Sequence, residues 1–136
     1  MIQFGGGAEI TFEDLVLGGS APIYVQIVLY VKRGMAAGTI HDGDELPSRR
    51  VLSALLGVNP NTIQKAYRML EEEGLICSHT GAKSYACVTQ EKMHQIRRDL
   101  LEQEMRSLVE SMQQMGVTQE EAALLMERLW KGEEEP

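Results

Sequence analysis

The chain lacks most of what would make it an enzyme, a membrane protein or a secreted scaffold. No apolar run approaches the ~20 residues that a membrane-spanning helix needs, and no charged-then-apolar leader opens the chain, so a soluble, cytoplasmic protein is expected. Two cysteines, Cys77 and Cys87, are too few for a disulfide framework, and reduced structural thiols are the expected state even though both fall on one prospective hairpin. The three histidines, His41, His79 and His94, are scattered over different segments with no acid or nucleophile at a catalytic spacing, which argues against an enzyme. His41, Asp42 and Asp44 crowd a single turn without a second cluster and read as a polar loop, so neither a metal nor a cofactor is expected. Gly5-Gly6-Gly7 has no Lys-Ser/Thr partner and follows no strand, which argues against a phosphate-binding loop. Positive charge is also short. With 13 Lys and Arg against 20 Asp and Glu, the formal charge is −7, and this alone argues against nucleic acid, because phosphate neutralisation supplies most non-specific affinity.

The deficit is uneven along the chain. Up to Val88 there are seven basic and nine acidic residues, and from Thr89 onward six basic and eleven acidic. Between Ser48 and Leu70 there are four basic residues and no acidic one. That stretch also carries the strongest structural signals. Pro47-Ser48 starts a helix, since Ser48 offers its hydroxyl to unpaired first-turn N–H groups, and Gly57 ends it. Val51, Leu52, Leu55 and Leu56 are its expected buried face, leaving Arg49 and Arg50 pointing outward. A second helix follows a tight turn. Asn59 caps it, Pro60 takes the first helical position where a missing N–H costs nothing, and Gly74 follows its last periodic residue. Ile63, Ala66, Tyr67 and Leu70 face inward, so Asn61, Thr62, Gln64, Lys65 and Arg68 remain for the other face. Hydrogen-bonding side chains at a helix N-terminus suit the major groove, where amides pair with adenine and hydroxyls with base edges or phosphates. A hairpin around Gly81 completes a winged helix-turn-helix, a DNA reader. Each piece alone is an ordinary helix cap or turn. The inference rests on their conjunction and order.

The string Gly43-Asp44-Glu45-Leu46-Pro47-Ser48-Arg49-Arg50, with Gly57-Val58, Asn61-Thr62-Ile63-Gln64-Lys65-Ala66-Tyr67 and Leu70-Glu71-Glu72-Glu73-Gly74-Leu75-Ile76, resembles the N-terminal domain of GntR-family bacterial transcription regulators. Pro22-Ile23-Tyr24-Val25-Gln26-Ile27 matches as well, and the short remainder resembles the YtrA subfamily. The resemblance implies that Arg50 contacts DNA, that Pro60, Asn61, Thr62 and Gln64 read bases and bind phosphate, and that Thr80 and Gly81 form a wing tip entering the minor groove. It also implies transporter operons among the targets. Two departures stand out. Pro60 sits where relatives often carry Arg or another polar residue, and the wing reads Gly81-Ala82-Lys83-Ser84-Tyr85 where a basic residue between two glycines is usual. The candidate DNA-binding set is Ser48, Arg49, Arg50, Pro60, Asn61, Thr62, Gln64, Lys65, Arg68, Thr80, Gly81 and Lys83.

A length of 136 residues with 43% hydrophobic content fits one domain and an appendage. Residues 1–20 are expected to form a partly ordered arm, in which Ile10, Phe12, Leu15 and Leu17 lie on the core as a strand or short helix. Residues 21–89 make the DNA-binding domain. They open on a helix from Ile23 to Ala37 with Ile23, Ile27, Tyr30 and Val31 inward and Gly38 at its end. Residues 90–131 form two helices, and 132–136 an acidic tail. The first helix, Gln90 to Gln114, carries Met93, Ile96, Leu100, Met105, Leu108, Met112 and Met115 in a near-heptad stripe, and Gly116 ends it. Thr118 and Glu121 then form a capping box for the second, whose apolar face is Ala122, Leu125, Met126, Leu129 and Trp130. Two helices cannot shield such faces alone, so a homodimer is expected, built on Met93, Ile96, Leu100, Met105, Leu108, Met112, Leu125, Leu129 and Trp130. Five of the eight methionines lie here, and core filling is the default over a ligand pocket.

The expected fold class is α+β, mainly α. The expected function is a sequence-specific regulator, a repressor by operator occupancy, reading an inverted repeat as a homodimer on double-stranded DNA. Two alternatives are a winged-helix protein interaction module and a regulator whose C-terminal helices bind a small effector. The polar second helix argues against the module, which would need an acidic or apolar face there.

Overall fold

The computed structural model describes residues 7–79 and 83–133. Among the described residues the order is α1 (Ile23–Ala37), β1 (Glu45–Leu46), α2 (Arg49–Leu56), α3 (Pro60–Glu72), β2 (Ile76–His79), β3 (Lys83–Ala86), α4 (Gln90–Gln114) and α5 (Gln119–Trp130). The chain divides into two compact units, one up to Arg98 and one from Asp99.

In the first unit α1 and α2 both pack on α3, and α3 also meets β2. The core is aliphatic with few rings: Ile27, Val31, Met35, Leu52, Ile63 and Leu70 are fully buried. The bounds of α1 coincide with the expected ones, and Gly38 ends it in the left-handed conformation. Its inward stripe is Ile27, Val28, Val31 and Met35. Ile23 is exposed because it lies in the first turn, where the stripe runs out, and Tyr30 is half-buried. Phe12 of the arm stacks on Tyr30, with ring centroids 5.0 Å apart.

In α2 the expected face is only half right. Ser48 caps the helix by accepting the Val51 N–H at 3.1 Å, and Gly57 ends it at φ 67. Leu52 is buried and Leu56 half-buried, whereas Val51 and Leu55 are 54% and 56% exposed. Leu52/Leu56 and Val51/Leu55 are both i,i+4 pairs, set about 100° apart around the axis, and a helix two turns long can bury one of them.

The expected hairpin is part of a three-stranded antiparallel sheet in the order β1-β3-β2. Ile76 faces Ala86 and His79 faces Lys83, while Glu45 faces Tyr85 and Leu46 faces Ser84. Among its described residues, 7–20, the arm forms neither a regular strand nor a helix, but Ile10 and Phe12 belong to the core. Ile10 and Phe12 are buried, Leu15 and Leu17 half-buried. The Ile10 N–H donates to Glu45 O at 2.8 Å, and Glu45 N–H donates to Ala8 O at 2.9 Å. The buried Asp44 carboxylate fastens this corner by accepting Ala8 N–H at 3.1 Å and His41 N–H at 2.8 Å. Phe12 sits at φ 59, a left-handed conformation costing a non-glycine residue about 1–3 kcal/mol, held here because its ring is 1% exposed.

The second unit holds most of α4, ended by Gly116, and α5, which Thr118 caps by accepting the Glu121 N–H at 3.1 Å. Its apolar side chains are largely exposed, including Met105, Leu108, Leu125, Leu129 and Trp130.

Candidate nucleic-acid interface

The site is built on α3. The Asn59 side chain accepts the Asn61 N–H at 2.8 Å, and Pro60 occupies the first turn, so the N-terminus is fixed at an exposed position. Ile63, Ala66, Tyr67 and Leu70 are all buried, as the periodicity indicated. Asn61, Lys65 and Arg68 are consequently exposed, and Thr62 and Gln64 half-buried at the rim of the packed face. Donor-rich side chains share this end with the positive pole of the helix dipole.

One buried hydrogen bond sets α3 against the start of α2. The Tyr67 hydroxyl donates to Pro47 O at 2.7 Å, directly before the Ser48 cap. Burial pushes the Tyr67 phenol well above the usual tyrosine range, against a smaller downward pull from Arg49, so it remains a neutral donor at physiological pH. Arg49 therefore differs from its expected outward posture: it is half-buried near Tyr67, and its Nε is buried without a hydrogen-bond partner. Arg50 is exposed. The Ser48 hydroxyl spends a lone pair on its cap but keeps a proton to donate.

Two lysines of the candidate set have partners. Lys65 Nζ stands 4.0 Å from the centroid of the Tyr24 ring on α1. Lys83, on the wing strand, lies 3.4 Å from the Glu45 carboxylate. Thr80 and Gly81 lie outside the described residues. Tyr24 was missed by sequence reasoning, and no local signal could have found it, since it meets Lys65 only through the packing of α1 on α3.

Acidic side chains cluster at the far end of α3. Glu73 pairs with Lys32 of α1 at 2.8 Å, and Glu71 accepts from the Ser78 hydroxyl at 3.4 Å. Cys77 and Cys87 are free and half-buried. Burial and the adjacent Cys77 thiol push the Cys87 thiol up to about 12. Among the described residues no three His, Cys, Asp or Glu side chains converge as metal ligands, and no helix is long and apolar enough to cross a membrane. Of the candidate dimer residues, Ile96 is buried within its own chain and Met93, Leu100 and Met112 are half-buried. Leu101, Val109 and Leu124, beside the expected stripe, are exposed as well.

The HTH-type transcriptional repressor YtrA of Bacillus subtilis (strain 168) is 34% identical over 110 residues, spanning 81% of this chain and 80% of that protein. The profile of bacterial regulatory proteins of the gntR family matches residues 23–85, from α1 into β3. The chain belongs to the GntR family. A solved GntR family transcriptional regulator from Listeria monocytogenes is similar with a TM-score of 0.73 and 33% identity, covering 82% of this chain and 98% of that one. YtrA from Sulfolobus acidocaldarius, a GntR-family transcription factor, is similar with a TM-score of 0.54 and 31% identity, covering 73% and 99%. α1, α2, α3 and the sheet are thus the winged helix-turn-helix of a GntR-family, DNA-binding transcriptional regulator.

Proposed function

We propose that this GntR regulator is a cytoplasmic homodimeric repressor that occupies an inverted-repeat operator, with α3 as its recognition helix. The observation that carries the reading is the division of α3. Four apolar side chains are buried while Asn61, Lys65 and Arg68 stand exposed, with Thr62 and Gln64 at the rim, so the helix has one face for the fold and another for a duplex. In this reading Arg50, exposed in the first turn of α2, the Ser48 hydroxyl that caps that helix, and Lys83, exposed on β3, add contacts to the duplex. The repressor role is supported by the relative named as one. Dimerisation is supported by side chains that water would not leave uncovered at working concentration, such as Leu108 at 42% exposure, Leu129 at 65% and Trp130 at 84%. In this scheme residues 21–89 read DNA and residues 90–131 supply the pairing surface. A two-fold dimer would place two α3 helices about 34 Å apart on successive major grooves.

Selection of bound sequences from random duplex DNA tests the reading. The expected result is an enriched inverted repeat whose half-sites lie about one helical turn apart. Arg50→Ala and Gln64→Ala should each weaken binding to that repeat by about 1–3 kcal/mol. Parental binding by both variants would refute the reading face, and an enriched single half-site would refute the two-fold arrangement. Leu108→Glu with Leu129→Glu should convert a dimer to monomer in light scattering, and an unchanged mass would remove the pairing surface from these helices.

A further inference from the structure

We propose that Tyr24 is a positioning residue of the DNA interface, its ring holding the Lys65 ammonium where α3 can present it to a phosphate. The inference rests on α3 being the recognition helix and goes beyond it by assigning a role to the first turn of α1. Lys65 lies four residues from Asn61 and three from Arg68, so these three share one helical face, and all are exposed. Its Nζ is 4.0 Å from the Tyr24 ring centroid, close enough for the negative face of the ring to attract the cation. Other cations of the chain are partnered differently. Lys32, Lys83, Arg106 and Lys131 each meet a carboxylate, whereas Lys65 meets a ring.

The difference has a chemical consequence. A carboxylate would hold the ammonium but cancel its charge toward DNA. An aromatic face holds it through a quadrupole, leaves the charge whole, and covers one side only, so N–H donors remain for a phosphate oxygen. A free lysine has many rotamers to lose on making that contact, and an ordered one has fewer, which lowers the cost of binding. Because α1 packs on α3, the ring is carried by an element in direct contact with the helix that bears Lys65.

The test is a double-mutant cycle in the full chain, read as the dissociation constant on labelled selected duplex across a range of salt. Tyr24→Leu should weaken binding roughly two- to fivefold per recognition helix and lower the salt slope, because a phosphate contact is loosened. Tyr24→Phe should restore most of the affinity, since the ring and not the hydroxyl holds the cation. Lys65→Ala should lower the slope by about 1 per helix, and Tyr24→Leu added to it should change nothing further. Thermal melting follows every variant. If Tyr24→Leu does not fold, fluorinated phenylalanines at position 24 keep the shape of the ring and drain its negative face, and affinity should fall with each fluorine. Equal losses from Tyr24→Leu with and without Lys65, a Tyr24→Phe loss as large as that of Tyr24→Leu, or no dependence on fluorination would each overturn the proposal. If Lys65→Ala weakens binding and Tyr24→Leu does not, the positioning role falls while the recognition helix stands. If neither Gln64→Ala nor Lys65→Ala weakens it, both fall.

Discussion

Removing one oxygen atom, by Tyr67→Phe, probes the joint that sets α3, the proposed recognition helix, against the helix before it. Tyr67 is 2% exposed, and its hydroxyl donates to the buried Pro47 carbonyl at 2.7 Å. Phenylalanine fills nearly the same volume, so cavity formation is a minor part of the cost. What remains is a carbonyl in the core with no donor, a penalty of about 1–3 kcal/mol, part of which is offset because no hydroxyl need be desolvated. A net loss of about 1–2 kcal/mol follows, equivalent to a drop of about 5–15 °C in the melting temperature of a unit this size. Urea titration checks the value: the midpoint should fall at unchanged slope, since the surface exposed on unfolding is the same. The sign with pH is fixed too. The folded phenol titrates above the unfolded value of 10.0, so its contribution is complete below that pH and is lost as pH rises through the folded value. Alkali should therefore destabilise the parent more than Tyr67→Phe. A midpoint within about 0.3 kcal/mol of the parent, well inside the penalty for an unpaired buried carbonyl, would refute the reasoning.

Gly34→Ala should destabilise by a net ~1 kcal/mol in urea titration, although alanine favours helices, because overpacking outweighs the propensity gain. The new Cβ would lie 2.7 Å from Ile40 Cγ1, a side chain that is itself buried. Cys87 should resist alkylation at neutral pH in the folded protein and react as pH climbs toward about 12, with mass spectrometry as the readout. Stability held by the protonated thiol is lost over the same rise from the ordinary value of 9.0, and rapid labelling at neutral pH would contradict the burial. Glu45→Gln should tighten DNA binding several-fold at low salt, because it removes a carboxylate 3.4 Å from Lys83. Unchanged affinity would show that Lys83 lies beyond reach of the duplex.

The elements legible in the sequence were those whose information is local. α1 and α3 each carry a full apolar stripe and recognisable ends, and α3 buries the four residues its spacing indicates. α2 is too short for its stripe to be unique, which is why Val51 and Leu55 were placed inward. β1 is two residues long and pairs with residues 38 and 40 positions away, so no alternation marks it. Phe12 and Ile10 are buried through contacts with distant residues that no pattern in residues 1–20 foretells. The polar side of α3 was legible, but the postures of its cations were not. Arg49 turned toward Tyr67, and Lys65 met Tyr24, through packing that joins segments far apart in the chain.

An acidic chain can meet an acidic polymer because screening makes net charge a poor guide to the field at a phosphate. Charges more than about 8–10 Å away are largely hidden at physiological salt. Glu71 stands ten residues beyond Asn61 on α3, about 15 Å along the axis at 1.5 Å per residue. Glu73 is moreover held against Lys32 at 2.8 Å. A phosphate at the start of α3 would therefore meet the helix dipole and Lys65, four residues or about 6 Å along the axis from Asn61, within that range, while the excess of acid lies elsewhere in the sequence, with eleven acidic residues from Thr89 onward. The same arrangement weakens long-range attraction and leaves short-range contact intact. On the proposed reading such a regulator depends on the few groups that touch DNA, and holding a single lysine with a ring would then matter.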